Sequence, residues 1–588
     1  MPGHRKGPKQ PIDAITTFIT AEEVIGRPFA LEEFNAAISS ASPTAFLKAL
    51  AGLLATLETT SIFNRQFQHE VASRFLVGAA LNRASAQIDL GRIFLVPQVI
   101  LVAMKAALLL APEDGADEVT AASLITVLLF IGGALGGSRD DLDEKWHGFP
   151  REVSLELIRN QNFNSSVKLP SLVARFWRIW RELPADLKHQ GAPRPFDDFT
   201  GEVGCRPEEL MLFGLWLWMA AQNGVTHLPP EWLGQIPITS GAKSACMALM
   251  ALPTKELAAR AGSESVINGI QWTFLAFRER PLAQMPDGSI LILSPRFVAE
   301  RAFGGAMYWT LNERANRLDG DVINGPAWQA FRNLHADCIE RYAEGVVAAW
   351  RPVDGDKRLA FSEEDMLRAW GRGVPVSDVA LDYDWAWACI EISSRRLGLA
   401  AATGAGPEEM DNELKLMVEE KAGRQLHSTV ERLRAQEHAL SGRDGPVRRY
   451  FPIMFVAHGF PTNPLTVDVI RETLRAKKLL QGRDTAPLEI VDLDELDLLD
   501  AVREQTGQNL VQLLRDKHDS AFFRSSIADF LWFEKEVRVT GSRRLDTSFH
   551  AGYRAALAAS TDPSLLDSFD KEWADRPPAV SEEGPTGD

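Results

Sequence analysis

Residues 375–426 constrain the fold more than any other stretch: PVSDVALDYDWAWACIEISSRRL, a Gly/Ala-rich segment, then DNELKLMVEEKAGRQL. Val376–Asp382 and Trp387–Ser393 are short runs rich in Val, Ile, Trp and Cys around Asp382-Tyr383-Asp384, the composition of a hairpin with a tight turn. Period-two alternation sets Cys389, Glu391 and Ser393 on one face and Ala388, Ile390 and Ile392 on the other. A turn centred near Asp384-Trp385 sets Asp378 opposite Glu391. Downstream, Leu414, Met417, Val418, Ala422 and Leu426 recur at spacings of three and four, so a helix with one inward stripe is expected. Lys421 lies seven residues past Leu414 and Gln425 seven past Val418, which puts both on the face of the stripe. Glu413, Glu420, Arg424 and Glu431 make up the outward face.

This arrangement implies chemistry. Two carboxylates on one face raise each other's pKa unless a cation lies between them. An oxygen-only pair suits Mg²⁺, which takes one or two carboxylates and fills its other positions with water and phosphate oxygens. An inward lysine and glutamine need polar partners, and the hairpin carboxylates are the expected ones. Each residue also has a plainer structural reading. Asp378 can cap a strand start after Pro375, Glu391 can pair with Arg395 or Arg396, and Lys421 can extend along the core edge to solvent.

The order strand-Asp, strand-Glu-x-Ser, helix with Lys and Gln resembles the restriction-endonuclease-like, or PD-(D/E)XK, nucleases. The resemblance covers roughly residues 325–500 and implies a mixed α/β domain in which Asp378 and Glu391 bind Mg²⁺. It also implies a glutamate on a preceding helix, a position matched by Glu340 in AFRNLHADCIERYAEGVVAAW. The family's lysine two residues after the glutamate is Ser393 here. Either Lys421 supplies that cation from the helix or the site is inactive. Gln425 would hold the attacking water or a phosphate oxygen. A bacterial defence or DNA-processing role is what the resemblance implies.

The rest of the chain frames this segment. At 588 residues with 45% apolar and 24% charged side chains, several ordinary globular cores are expected. The net charge of −16 argues against an indiscriminate nucleic-acid surface and leaves room for a local basic groove. Cys205, Cys246, Cys338 and Cys389 are scattered, without zinc or disulfide spacing, which fits a reducing cytoplasm. The run IFLVPQVILVAMKAALLLA at 93–111 contains Lys105. A charge at mid-bilayer costs about 2.5–3.5 kcal/mol on insertion scales, so a buried helix of a soluble domain is expected, with no membrane partner.

Residues 1–14 and 575–588 read as disordered tails. Residues 15–275 read as one or more helical domains, including SLVARFWRIWREL, whose Arg175, Trp177, Arg178, Trp180 and Arg181 suit a core-facing Trp stripe with exposed arginines better than base stacking. The acidic Asp140, Asp141, Asp143 and Glu144 read as a solvated loop. Residues 276–324 read as a bridging hairpin, FLAFRERPLAQM and SILILSPRFV around Pro286-Asp287-Gly288, with a linker at 314–328. Residues 325–574 read as the nuclease-like α/β domain, in the order β–β–α–β–α–β, with a helical extension. The expected fold class is α+β: a large all-helical N-terminal region and a C-terminal mixed α/β domain. Two functional expectations follow. The first is a Mg²⁺-dependent nuclease using Asp378, Glu391, Lys421 and Gln425, with Glu340, Asp378 and Glu391 around the metal. The second is an inactive nuclease-like scaffold that binds a protein partner through its helical half.

Overall fold

The computed structural model describes residues 18–60, 64–136, 167–187, 193–264, 274–320, 322, 324–351, 359–394, 407–443, 448–456, 464–537, 539 and 541–574. The expectations for both tails, the acidic loop at Asp140, and the alternative partners Arg395 and Arg396 lie outside these residues. The fold is mixed α+β, with two small mixed sheets among many helices. The chain gathers into two units: 1–167, 254–277 and 332–543 in one; 168–253, 278–331 and 544–588 in the other.

The second unit holds the four-stranded sheet, in the order β1-β4-β3-β2. Its strands are β1 (His227–Leu228), β2 (Ala251–Pro253), β3 (Leu282–Gln284) and β4 (Ile290–Ile292). β3 and β4 pair antiparallel around the expected turn, where Gly288 has φ 80°. The hairpin is shorter than its sequence suggests: Leu275–Glu279 and Pro295–Glu300 are helices. Proline at the first turn and the Ser294 cap, which accepts the Phe297 N–H at 3.2 Å, favour helix over strand in the latter. The region expected to be all helical also contributes β1 and β2. Strands of two or three residues are too short to show a period. The expected linker at 314–328 is also partly helical, since Ala306–Leu318 is a helix and another begins at Pro326. In SLVARFWRIWREL the aromatics pack inward, as expected: Trp180 is 6% exposed and stacks near Phe331, and Trp177 meets Phe196 edge-on. Arg175, expected to be exposed, is instead buried with them.

In the first unit, the described elements between 18 and 136 are helices, as the periodicity predicts. The 93–111 run becomes the helix Pro97–Leu110, buried on most of its surface. Among the described residues no helix is long and apolar enough to cross a membrane. Lys105, 2% exposed, forms an ion pair with Glu264 inside the protein.

The five-stranded sheet of this unit is β5 (Ala360–Ser362), β6 (Val379–Asp382), β7 (Ala386–Ser393), β8 (Arg449–Val456) and β9 (Glu489–Val491), hydrogen-bonded in that order. β5-β6-β7 are antiparallel and β7-β8-β9 parallel. The order β6–β7–α–β8–α–β9 follows the sequence reading, and β5 adds an edge strand. The β6–β7 turn is held by Asp382, which accepts the Asp384 N–H at 2.8 Å and the buried Arg448 guanidinium at 2.6 Å. The long helix after β7 starts as Pro407–Leu416, becomes π-helical over Met417–Leu426 and ends as His427–Ser441. Its buried stripe of Met417, Val418, Ala422 and Leu426 packs with Trp387, Cys389, Tyr450 and Met454 in one core. Leu414 lies at the edge of that core.

Candidate active site

Local structure places Asp378 one residue before β6. The β6–β7 register pairs Val379 with Ile390, so one further step sets Asp378 across from Glu391, where the turn position predicts it. Three contacts fix this point. The Ile392 N–H donates to Asp378 Oδ2 at 2.6 Å, the Glu363 N–H donates to the Asp378 carbonyl at 2.8 Å, and the Ser377 N–H donates to Thr429 Oγ1 at 2.8 Å. The second of these continues the β5–β6 ladder by one step, whereas the third gives the Ser377 N–H to a side chain instead of a strand, so β6 begins at Val379 rather than Val376.

Glu391 lies on the central strand with no exposed surface, because β7 is buried along both faces. Lys421 Nζ donates to Glu391 Oε1 at 2.7 Å. Glu391 Oε2 is buried and has no hydrogen-bond partner. The lysine therefore does turn inward, with 35% of its side chain exposed. Ser393, at the end of β7, is 4% exposed. Glu340, half-buried on the helix Pro326–Ala349, interacts electrostatically with Asp378 and Lys421 without a hydrogen bond to either. Gln425 is half-buried on the π-helical stretch, and among the described residues no hydrogen bond joins it to Asp378 or Glu391.

Electrostatics follow from burial. Burial first, then the Asp378 charge, pushes Glu391 up to about 8 against the opposing pull of Lys421. Burial raises Asp378 to about 6, although the Ile392 N–H and Lys421 favour its charged form. Burial and then Asp378 raise Glu340 to about 7. Burial works against the Lys421 charge, but Glu391, then Asp378 and Glu340, hold its pKa above the ordinary range.

The donor set can be tested against Mg²⁺. Among the described residues no three His, Cys, Asp or Glu side chains stand close enough together to hold a metal ion. The expected trio of Glu340, Asp378 and Glu391 is therefore not assembled as a ligand set. Asp378 and Glu391 fit the two-carboxylate mode in which water and phosphate fill the remaining positions, and the unpartnered Glu391 Oε2 is the atom such an ion would satisfy.

The sequence reading missed a second buried charge cluster. Glu489, at the start of β9, accepts from Lys517 at 2.8 Å and from His518 at 3.0 Å, and Arg471 lies 3.6 Å away. These charges hold Glu489 down at about 2 despite full burial. The Lys517-His518 pair on an amphipathic helix and a glutamate in a short strand carry no spacing signal that would join them. Neither a known protein family, nor a curated protein, nor a solved structure matches this chain.

Proposed function

We propose that this chain is a Mg²⁺-dependent phosphodiesterase acting on DNA or RNA, on a domain like that of the PD-(D/E)XK nucleases. The observation that carries this reading is the fully buried Glu391, salt-bridged to Lys421 through one oxygen and unpartnered at the other. A purely structural ion pair gains most when its remaining lone pairs are satisfied. Here one is left beside a second carboxylate, at the open end of a hairpin.

A bound divalent ion supplies Lewis acidity towards the phosphate and a more acidic water. The chain's own groups do the rest. Asp378, tied through Oδ2 to the Ile392 N–H, and Glu391 bind and orient. Lys421 fixes the Glu391 rotamer and places a positive charge beside a phosphate bearing developing negative charge. Glu340, raised to about 7, accepts a proton at neutral pH. Substrate reaches the site through a local groove, since the net charge of −16 disfavours contact over the whole surface.

The second reading, an inactive scaffold that engages a protein partner, draws on Ser393 in the lysine position and on the engagement of Lys421 by Glu391. One experiment separates the two. Single- and double-stranded DNA and RNA are incubated with the protein and Mg²⁺ or Mn²⁺. Cleavage is expected, abolished by Glu391→Gln and slowed on the order of 10²–10⁴-fold by Lys421→Met, while metal binding by the latter is nearly intact. A wild type that neither cleaves nor shows a metal-dependent thermal shift leaves the scaffold reading standing.

A further inference from the structure

In the unit with the smaller sheet, the helix Pro295–Glu300 runs into a π-helical turn, Arg301–Gly305, that is broken inside. Phe303 has φ −106° and ψ 46°, and Gly304 has φ 140°, which an L side chain rarely adopts. Breaks of this kind recur at functional sites. Arg301 opens the turn, 9% exposed, and its Nε is buried without a hydrogen-bond partner. Among the described residues no carboxylate forms an ion pair with it. Glu279 and Glu313 act on it only through longer-range attraction, and Arg280 adds a like charge to the same neighbourhood.

Buried cations are normally paired, because an uncompensated charge costs several kcal/mol. Arginine does not escape that cost by neutralising. Burial and then Arg280 lower Arg301 only to about 10, so it is charged at neutral pH. Its planar fork of donors matches an oxyanion. A phosphate monoester carries close to two negative charges at pH 7 and so offsets the Arg301 charge together with the like charge that Arg280, itself donating to the Ala248 carbonyl, adds nearby, whereas a single carboxylate offsets one.

We propose that Arg301, with the positive charge of Arg280 in the same neighbourhood, is a binding site for the phosphate group of a small ligand, separate from the carboxylate site of the other unit.

The test is thermal unfolding of the full chain in EDTA, with inorganic phosphate, glycerol phosphate, acetate or succinate at matched ionic strength. Phosphate and glycerol phosphate are expected to raise Tm saturably, as binding to the folded state requires, and the carboxylates are not. Arg301→Met should lose the shift while its Tm without phosphate stays level or rises, because an unpaired charge has gone. Arg280→Met should weaken binding on the order of tenfold. Glu391→Gln should keep the full shift. An equal phosphate shift in wild type and Arg301→Met overturns the proposal, as does no shift in the wild type or an equal response to carboxylates. Should Arg301→Met not fold, ³¹P NMR titration of the wild type against Arg280→Met decides. One phosphate per chain, weakened in the variant, supports the site, and its absence ends it.

Discussion

Glu391, Glu340 and Asp378 are carboxyl groups whose ionisation the folded chain resists, with pKa values of about 8, 7 and 6. A folded pKa above the unfolded value makes a stabilising contribution that is complete below the unfolded pKa and lost as pH rises through the folded one. In EDTA the chain should therefore lose stability between about pH 5 and pH 8, with Glu391 governing the upper end on the order of 4 kcal/mol. Urea midpoints measured across that range should fall for wild type and fall less for Glu391→Gln. Identical profiles would mean that Glu391 ionises freely. Mg²⁺ should help most at the alkaline end, where its ligands are already deprotonated. Much of this site was legible in the sequence. The turn position alone sets Asp378 across from Glu391, and the helical stripe turns Lys421 inward. Gln425 shares that stripe without reaching the carboxylates, because a spacing rule gives a face and not a reach. The Glu489 cluster was not legible at all, since its charges are brought together by tertiary packing alone.

Among the elements, the π-helical stretch Met417–Leu426 delivers Lys421 to the sheet. Gly423 within it has no room for a side chain: a Cβ there would stand 2.7 Å from Leu479 Cδ1 and 2.7 Å from the Val418 carbonyl oxygen. The leucine can give way, but the backbone oxygen cannot. Gly423→Ala should cost about 1–3 kcal/mol and depress any Lys421-dependent cleavage further than lost folded fraction explains. Gly52, in the helix Pro43–Thr59, meets nothing within 4 Å, so Gly52→Ala should stabilise by up to about 1 kcal/mol. Matching effects at the two sites, read from denaturant midpoints, would remove the steric argument. The sequence periodicity gave the helix and its buried stripe but not the π-helical winding. No residue spacing marks that winding, and within it Gly423 is the position with no room for a side chain. Strand lengths were legible where both faces are buried, as in β7. They were overestimated where a cap or a side-chain contact competes with the ladder, as at Pro295 and at Ser377.

At the scale of the molecule, each compact unit is assembled from three separate stretches of chain, so its stability depends on contacts between segments far apart in sequence. Lys105 and Glu264, 159 residues apart, make one such contact within the first unit, with side chains 2% and 7% exposed. Burial lowers the Lys105 pKa, and the paired glutamate opposes this. Glu264 also accepts the Ala276 N–H at 2.6 Å, so its carboxyl group joins the segment 254–277 to Lys105 and also ties that segment to itself. Removing one charge takes away the other's ion-pair partner in a dry interior, which costs about 3–5 kcal/mol, whereas removing both is close to neutral. Lys105→Met alone should therefore destabilise strongly. Lys105→Met with Glu264→Gln should recover most of the loss, since the amide oxygen still accepts from Ala276. Urea midpoints of the two variants against wild type decide the matter. A double variant no more stable than the single one would show that the cost lies in packing around the lysine stem, and that this ion pair does not hold the two segments together.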